Sequence, residues 1–552
     1  MQKYIWNYCK KTTDDVIDQI LVNRAVDLRD KESFLNPDFF ADQVDPRKIF
    51  DMKKGIVRFY ESYKKNEKIG VFADYDADGI SAAAILVKAL EYLNIAYAIY
   101  IPSREEGYGL SQTAIDYFIE HKCSLVFSLD TGTTAKKEAE KCRRNNIDLI
   151  IIDHHIVQKD LFPDSAYAII NPKQKNEKTK FKEYSAGGLV WKFIYGLHLQ
   201  YKLFPQNTVK WWLDLAAIST ISDIVPLVGE NRIIAKYGLK VLQKTCNLGL
   251  RKLYIIASII PENISAYTIG FQIGPRLNAS GRIHHANDSF YLLIENDSSK
   301  VKLLAEKINQ TNTKRQDLLQ KSIILAIKLI EKDNLDKFKI IVIKHATFLE
   351  GLNGLIASAI VEKYHRPTIV LSEKQDVLIG SARSIKDFDI EKTLEKSKKY
   401  LLRFGGHKLA AGLSLVDKNF AKFKKFIEEY TQKNINDSDL IPKINIDYTL
   451  DPKNITVPFI KILNSLEPHG FGNPKPIFEI KNIRIIEKRL VGKKSDHLSL
   501  YLENNIKAIG FGLSEFYDSL HAKNKISIAG TLNIDEWNNI QKVQIKIIDI
   551  KY

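Results

Sequence analysis

Four short motifs carry acidic and histidine side chains at spacings that suit metal chemistry. The first, FADYDADG, has Asp74, Asp76 and Asp78 at alternate positions directly after an apolar run. Three carboxylates this close repel one another, and a buried site tolerates the repulsion only where a cation compensates it. A solvated acidic loop and a calcium loop of the EF-hand type are the alternatives. The EF-hand requires a helix before the loop and a glutamate near its end, and this chain has an apolar strand-like run and an apolar helix-like run there.

The other three motifs are SLDTG with Asp130, IIDHH with Asp153, His154 and His155, and ISDIV with Asp223. Alone, Asp130 also fits ordinary turn chemistry, and Asp223 also fits a helix cap. Two adjacent histidines beside a strand-end aspartate favour a metal or phosphate site. The combined set is mostly hard oxygen with one or two imidazoles, which suits Mn²⁺ or Mg²⁺ better than zinc. It contains enough acids for two ions, roughly 4 Å apart, bridging a water.

Repeated strand–loop–helix units surround these motifs. The runs KIGVFA, SLVFSLD and DLIIID predict short buried strands, and SAAAILVKALEYL and AKKEAEKCRRN predict the helices between them. Strands that alternate with helices indicate a parallel α/β sheet. Ligands of such sheets bind beyond the carboxyl ends of the strands. We therefore expect Asp74, Asp130 and Asp153 at one edge of the sheet.

The remaining pattern predicts two α/β domains joined by a long helix, followed by an OB-like β-barrel. The barrel is indicated by short alternating strands such as LSLYL and VQIKI. WWLDLAAISTISDIVPL is expected to be helical and to end near Pro226. The predicted segments are a mostly helical lead-in over 1–50, a catalytic domain over 51–299, a connector helix over 300–335, a second α/β domain over 336–432 and the barrel over 444–552.

Composition places the chain among ordinary soluble globular proteins, with 45% hydrophobic and 27% charged residues in 552. The net charge of +16 attracts polyanions, although a general enrichment in Lys, Ile and Asn explains it equally well. We expect no signal peptide and no membrane helix, because no apolar run is long enough. The four cysteines are scattered, without a Cys-x-x-Cys pair, which is typical of a reducing cytoplasm.

The order DYDADG, LDTG, DHH, SDIVPL resembles the DHH phosphoesterase superfamily. Nearly the whole chain is similar to one family within it, the RecJ-like single-strand-specific 5′→3′ DNA exonucleases. The additional motifs in RecJ-like order are PSREEGYGL, SAGG, GPRLNASGRI, GSARS, FGGHKLAAG and LEPHGFGNPKPIF. GPRLNASGR together with GFGNPKP is much more specific than DHH alone. In one departure, Phe348 replaces a tryptophan of the family pattern, and we expect that it can still stack on a base.

The resemblance implies roles for residues of this chain, with the two α/β domains as the DHH and DHH-associated domains. The implied metal ligands are Asp74, Asp76, Asp78, Asp130, Asp153, His154 and Asp223. The implied catalytic residues are Asp76, Asp130, His154, His155 and Asp223, with His155 at the scissile phosphate and Asp153 bridging the metals or supporting His154. The implied DNA- and phosphate-binding residues are Arg104, Arg276, Arg282, Ser381, Arg383, Gly405, Gly406 and His407. For any single arginine, surface solvation is the favoured explanation, and a tight turn is the alternative explanation of the glycine pair.

The implied activity is hydrolysis of single-stranded DNA from its 5′ end by a water activated by two Mn²⁺ or Mg²⁺ ions. The products would be 5′-mononucleotides. The implied biological role is DNA repair and recombination, and the implied location is the cytoplasm. The implied partners are single-stranded DNA, single-strand-binding protein and a helicase, with a monomeric enzyme and no membrane. Two alternatives are another DHH phosphodiesterase acting on short oligonucleotides or cyclic dinucleotides, and a non-catalytic DNA-binding scaffold. The barrel argues against the first, and the complete set of acids argues against the second.

Overall fold

The computed structural model describes residues 3–107, 109–283, 285–522, 524–537 and 540–552. These residues form two compact units. The N-terminal unit comprises Thr12–Asn312 and Lys461–Lys475. The C-terminal unit comprises the described part of Met1–Lys11 together with Thr313–Ile460 and Pro476–Tyr552. Within the described ranges, no helix combines the length and the hydrophobicity needed to cross a lipid bilayer.

The strands are β1 (Ile5–Tyr8), β2 (Ile69–Ala73), β3 (Tyr97–Tyr100), β4 (Leu125–Leu129), β5 (Asp148–Ile152), β6 (Ala168–Ile170), β7 (Ile341–His345), β8 (Thr368–Lys374), β9 (Val377–Arg383), β10 (Arg403–His407), β11 (Ala410–Val416), β12 (Lys443–Ile446), β13 (Tyr448–Leu450), β14 (Phe478–Val491), β15 (His497–Leu502), β16 (Ile506–Gly510), β17 (Lys525–Trp537) and β18 (Ile540–Lys551).

The α-helices are α1 (Val16–Asn23), α2 (Lys31–Leu35), α3 (Met52–Lys64), α4 (Ala77–Tyr92), α5 (Gln112–Glu120), α6 (Lys136–Arg144), α7 (Ala186–Tyr201), α8 (Gln206–Trp211), α9 (Leu213–Ser222), α10 (Gly229–Leu242), α11 (Leu248–Ile256), α12 (Ala266–Thr268), α13 (Gly274–Ile283), α14 (Asn287–Ile294), α15 (Ser298–Lys332), α16 (Asn353–Tyr364), α17 (Ile390–Lys396), α18 (Phe420–Asn434) and α19 (Val457–Leu463). A π-helical turn, Ile269–Ile273, leads into α13.

A five-stranded sheet in the order β3-β2-β4-β5-β6 forms the centre of the N-terminal unit, and all its neighbouring strands are parallel. Every residue of β2 and β4 is buried. Such continuous apolar strands are expected where helices cover both faces of a parallel sheet. The helices α4, α7 and α9 are largely buried and pack within the same core. This architecture brings the carboxyl ends of β2, β4 and β5 to one edge.

The C-terminal unit contains two larger sheets. The first is mixed, in the order β10-β11-β9-β8-β7. The second has the order β13-β14-β15-β16-β18-β17, and an additional pairing of β14 with β17 closes it. Closure of this kind removes the free edges, as in a small OB-like barrel. Its interior comes from alternating residues, for example Leu498, Leu500 and Leu502 of β15, which are all buried.

The structure departs from the sequence-based expectations in several places. The lead-in begins with a strand, since β1 pairs in parallel with β12, more than 400 residues later in the chain. The predicted helix over 211–227 is divided between α8 and α9 and ends at Ser222. Gly405 and Gly406 lie within β10 and pair with β11, so they do not form the tight turn. Phe348 is only 2% exposed and packs in a hydrophobic core, so the stacking on a base that the sequence left possible does not fit its position.

Candidate metal centre

Acidic residues meet at the carboxyl edge of the parallel sheet. Asp74, Asp130 and Asp153 directly follow β2, β4 and β5. Asp76 caps α4 and accepts hydrogen bonds from the backbone N–H groups of residues 78 and 79, at 2.9 and 3.2 Å. Asp223 follows the last residue of α9. Asp130 has a φ of +62°, a strained value for a residue with a side chain, and such strain is concentrated at functional sites.

The potential ligand atoms form three overlapping groups, and within each group all atoms lie within 4.8 Å of one another. The groups are Asp74–Asp76–Asp130, Asp130–His154–His155 and Asp78–His154–Asp223. Nε2 of His154 lies 3.2 Å from Oδ1 of Asp130, and 3.6 Å from Oδ2 of both Asp78 and Asp223. Asp130 and His154 each belong to two groups, so they occupy the middle of the cluster.

The electrostatics of the cluster favour a bound cation. Burial, followed by repulsion from Asp76, raises the pKa of Asp74 to about 8. Burial, followed by repulsion from Asp78, raises the pKa of Asp223 to about 9. The pKa of Asp130 is raised well above its ordinary value by burial and by four neighbouring acids. A divalent cation removes this penalty because it stabilises the ionised carboxylates.

The donor set also fits the coordination chemistry of Mn²⁺ or Mg²⁺. Oδ1 of Asp74 and Nε2 of His154 are buried and have no hydrogen-bond partner among the described residues. Burial lowers the pKa of His154, which favours the neutral imidazole that a metal requires. Carboxylate oxygens with one or two imidazoles suit these ions, whereas zinc more often recruits cysteine.

Asp78 belongs to a ligand group and also has a structural role. Its Oδ1 accepts hydrogen bonds from the N–H of Gly187 at 2.8 Å and from Oγ of Ser219 at 2.6 Å, and its Oδ2 accepts one from the N–H of Ala186 at 2.9 Å. The carboxylate therefore holds the N-terminus of α7 and the middle of α9 beside the cluster. Sequence reasoning missed Ser219, because a serine inside a helix carries no distinguishing signal.

Asp153 accepts hydrogen bonds from its own loop and from the loop that follows β4. Its Oδ2 accepts from the N–H of Thr133 at 3.0 Å, and its Oδ1 accepts from the N–H groups of His154 and His155 at 2.7 and 3.1 Å. Oδ1 also lies 2.7 Å from Nδ1 of His155. Burial alone raises the pKa of a carboxyl, but these interactions with His155 hold the pKa of Asp153 below its usual range. Three of these four contacts are with His154 and His155, so Asp153 helps to fix the conformation of their loop.

Helix α13 and the side chain of Arg104 contact the FADYDADG motif, which carries Asp74, Asp76 and Asp78. The guanidinium of Arg104 lies 5.0 Å from the centre of the Tyr75 ring, and its Nε donates to the carbonyl of Gly281. Oδ1 of Asn278 accepts a hydrogen bond from the N–H of Ala77 at 2.7 Å. Arg282 lies on the same helix. Tyr75 and Asn278 were not predicted as site residues, although both lie within the motifs that carry the resemblance.

Arg276 occupies a different position on α13. Its Nε donates to Oδ1 of Asn309 at 3.0 Å, and its Nη1 donates to the carbonyl of Gln272 at 2.8 Å. The side chain thus connects α13 to α15 within the N-terminal unit. These contacts give Arg276 a structural role beside the predicted phosphate-binding one.

The remaining predicted residues lie together in the C-terminal unit. Ser381 and Arg383 are on β9, opposite Gly412 and Ala410 of β11, and β10 carries Gly405, Gly406 and His407. Nη1 of Arg383 donates to the carbonyl of Ala382. A methyl group added to Gly354, in the first turn of α16, would lie 2.7 Å from Nη2 of Arg383 and 3.6 Å from Oγ of Ser381. An arginine, a serine and the start of a helix therefore converge in the way that anion sites require.

Comparison with known proteins gives a consistent result. Three family descriptions match in chain order: "DHH family, N-terminal domain" over residues 68–220, "DHHA1 domain" over 339–433 and "RecJ OB domain" over 446–549. The single-stranded-DNA-specific exonuclease RecJ of Bacillus subtilis (strain 168) is 34% identical over 540 residues, covering 97% of this chain and 67% of its own. These matches confirm the predicted fold class and the predicted resemblance.

Two solved structures are similar over much of the chain. One is RecJ from Thermus thermophilus in complex with Mn²⁺, which has a TM-score of 0.82 at 24% identity. The match covers all of this chain and 80% of the other, and it supports the fold. A second structure, of exonuclease RecJ bound to manganese, has a TM-score of 0.61 at 29% identity and covers 71% of this chain and 96% of its own.

Proposed function

The chain belongs to the RecJ family of DHH proteins, and we propose that it is a metal-dependent exonuclease that degrades single-stranded DNA from the 5′ end and releases 5′-mononucleotides. The three overlapping ligand groups at the edge of the sheet carry this proposal. They combine buried acids with an imidazole in a chain whose relatives are named single-stranded-DNA-specific exonucleases. The 5′→3′ direction and the nature of the product rest on the resemblance.

The overlap of the groups suggests how the ligands divide between two ions. Asp74 and Asp76 would hold one ion, and Asp78, His154 and Asp223 the other, with Asp130 between them because it lies near both sets. When bound there, Mn²⁺ or Mg²⁺ supplies Lewis-acid activation of a water molecule and stabilises charge on the reacting phosphate. A manganese-bound RecJ structure at 29% identity supports this choice of metal.

The residues around the ions would position the substrate. His155 is 44% exposed at the side chain, and its ring is fixed by Asp153 through Nδ1. We propose that His155 contacts the scissile phosphate, and this is supported by a ring nitrogen that lies within 4.8 Å of the ligand atoms of Asp130 and His154. Asp153 would act mainly as a positioning residue, because three of its four contacts are with His154 and His155.

Replacing Asp153 with asparagine is expected to lower kcat about 10- to 100-fold, which is typical when a group that orients a ligand is lost. KM for single-stranded DNA should change much less, because Asp153 is buried. Steady-state kinetics of the variant, with its Tm as a control for folding, test this role. A variant with wild-type kcat would remove Asp153 from the machinery.

The cluster of Ser381 and Arg383 beside α16 is proposed to bind the terminal 5′ phosphate. Burial lowers the pKa of Arg383, and a dianionic phosphate would stabilise its charge. Gly354 leaves the space that the guanidinium occupies, because a methyl group at this position would press against Nη2. Removing that space should displace a flexible side chain without disturbing the fold.

The Gly354→Ala variant is therefore expected to lose the preference for 5′-phosphorylated over 5′-hydroxyl strands. Hydrogen bonds to charged groups contribute about 1.5–3 kcal/mol, so the ratio of the two kcat/KM values should fall about tenfold or more. Gly270→Ala, which places a methyl group in open space, is the matched control. An unchanged ratio in Gly354→Ala would place the phosphate site elsewhere.

One assay distinguishes this function from its alternatives. The protein is incubated with Mn²⁺ and with end-labelled single-stranded DNA, duplex DNA or a cyclic dinucleotide. We expect mononucleotides to be released from the single strand first, beginning at the 5′ end. Preference for the dinucleotide would indicate another DHH phosphodiesterase, and no cleavage of any substrate would indicate a scaffold.

Other implied features stay predictions. They are the domain boundaries, a monomeric state, a cytoplasmic location, single-strand-binding protein and a helicase as partners, and roles in DNA repair and recombination. The OB-like barrel supports a nucleic-acid partner, because such barrels bind single strands through cationic and aromatic surfaces.

A further inference from the structure

Two large apolar side chains are exposed, one on the segment that follows Asp223 and one on the loop that contacts this segment. Ile224 immediately follows Asp223 and is 68% exposed. Phe471, at the tip of the 467–475 loop, is 62% exposed. Single exposed apolar residues are common and need no explanation. These two differ from such residues in their backbone. The backbone of Ile224 has an unfavourable conformation, and the loop that carries Phe471 is fixed by hydrogen bonds.

Ile224 occupies a strained position. It lies just past the C-terminal end of α9 with a φ of +59°, where glycine is the usual residue and a β-branched side chain is a true outlier. An exposed isoleucine does not stabilise such a helix end, and glycine would adopt the same backbone conformation with less strain. Strain retained next to a metal-site residue indicates that the side chain has a use there.

Phe471 is held on a braced loop. The backbone of Gly470 and Asn473 pairs in both directions at 2.9 and 3.1 Å, and Nδ2 of Asn473 donates to the carbonyls of Leu466 and Pro468. The buried guanidinium of Arg232, on α10, donates to the carbonyls of residues 465, 466 and 467. The loop is therefore fixed to the N-terminal unit, and its tip is preorganised.

The loop also contacts the segment that follows Asp223. The N–H of Leu227 donates to the carbonyl of Phe471 at 2.7 Å. Methyl groups added to Gly470 and Gly472 would lie 2.7 Å from Leu227 and 2.9 Å from Pro226. The 467–475 loop thus packs against residues 226 and 227, which follow closely after Asp223 of the metal cluster.

We propose that Ile224 and Phe471 form an apolar platform that packs against a nucleobase next to the phosphate held at the metal centre. The inference rests on the proposed function, since it assumes a DNA strand at the cluster. An enzyme that degrades strands of any sequence needs contacts that all bases share, and every base presents an apolar π face. An aromatic ring and a branched aliphatic side chain provide such contacts.

Abasic substrates test the platform directly. A single abasic nucleotide is placed at each of the first few positions of a 5′-phosphorylated oligothymidylate, and kcat/KM is compared with that of the intact strand. For the wild-type protein, loss of the base that meets the platform should lower kcat/KM about 5- to 100-fold, the range for one base–aromatic contact. The Phe471→Ala variant should cleave the intact strand more slowly by a similar factor and should no longer distinguish the abasic strand at that position.

Three further variants separate stacking from folding effects. Phe471→Trp should restore the discrimination. Ile224→Gly should weaken it without lowering Tm, because glycine relieves the positive φ. Phe40→Ala removes another exposed phenylalanine of the same unit and should behave as wild type. Two results would overturn the platform, provided that the intact strand is still degraded. The first is a wild-type kcat/KM that no abasic position lowers, and the second is a Phe471→Ala variant that still shows the full decrease in kcat/KM at every position. Failure of the wild-type protein to degrade the intact strand would instead overturn the proposed function, and the platform with it.

Discussion

Replacing Asp130 with asparagine is expected to lower the rate of single-strand cleavage by at least about 10³-fold, because several kcal/mol of charge stabilisation by the metals depends on it. Asp130 is 3% exposed and belongs to two of the three ligand groups, so its replacement is expected to weaken both proposed metal sites. Single-turnover kinetics with Mn²⁺ and a 5′-labelled single strand measure the loss.

The same variant should bind single-stranded DNA nearly as well as the wild-type protein, because the side chain is buried beneath the site. Its metal-free form should be no less stable, since asparagine removes one of several buried, mutually repelling carboxylates. Asp160→Asn, which changes an exposed acid of the same unit, is the matched control and should keep full activity. Wild-type cleavage by Asp130→Asn would show that the cluster is not the catalytic centre.

Chelation of divalent metals is expected to abolish cleavage and to lower the Tm of the N-terminal unit. A ligand at 100 times its Kd stabilises the folded state by about 2.7 kcal/mol, which corresponds to a Tm shift of about 4 °C for a unit of this size. The effect should be large because the metal-free cluster is costly. Burial and mutual repulsion raise the pKa values of Asp74 and Asp223 to about 8 and 9.

Differential scanning calorimetry with and without Mn²⁺ measures this shift. Asp130→Asn should show a much smaller shift, and Asp160→Asn should show the wild-type one. Full nuclease activity after exhaustive chelation would contradict a metal-dependent mechanism. A Tm shift that Asp130→Asn retains in full would mean that the stabilising metal binds elsewhere.

The sequence predicted the catalytic sheet because its signals are local. The apolar runs of β2, β4 and β5 each end in an aspartate, and the parallel arrangement of these strands places the three carboxylates at one edge. The long helix α15, predicted as a connector over 300–335, extends over Ser298–Lys332, and it could be predicted because its apolar residues recur with helical spacing.

Features that depend on distant contacts could not be predicted in this way. The pairing of β1 with β12 joins residues more than 400 positions apart, and β1 carries no signal of its partner. The anchoring of Asp78 by Ser219 depends on how α9 packs against α4. Phe348 could be recognised as buried only once the core around β7 and α16 was formed. The assignment of 467–475 to the N-terminal unit is likewise a result of tertiary packing.

Anomalous X-ray diffraction from crystals grown with Mn²⁺ tests the central claim most directly. We predict two anomalous peaks roughly 4 Å apart. One should lie against Asp74 and Asp76, the other against Asp78, His154 and Asp223, and Asp130 should lie within coordination distance of both. Peaks outside this cluster, or an empty cluster at a Mn²⁺ concentration that supports cleavage, would contradict it.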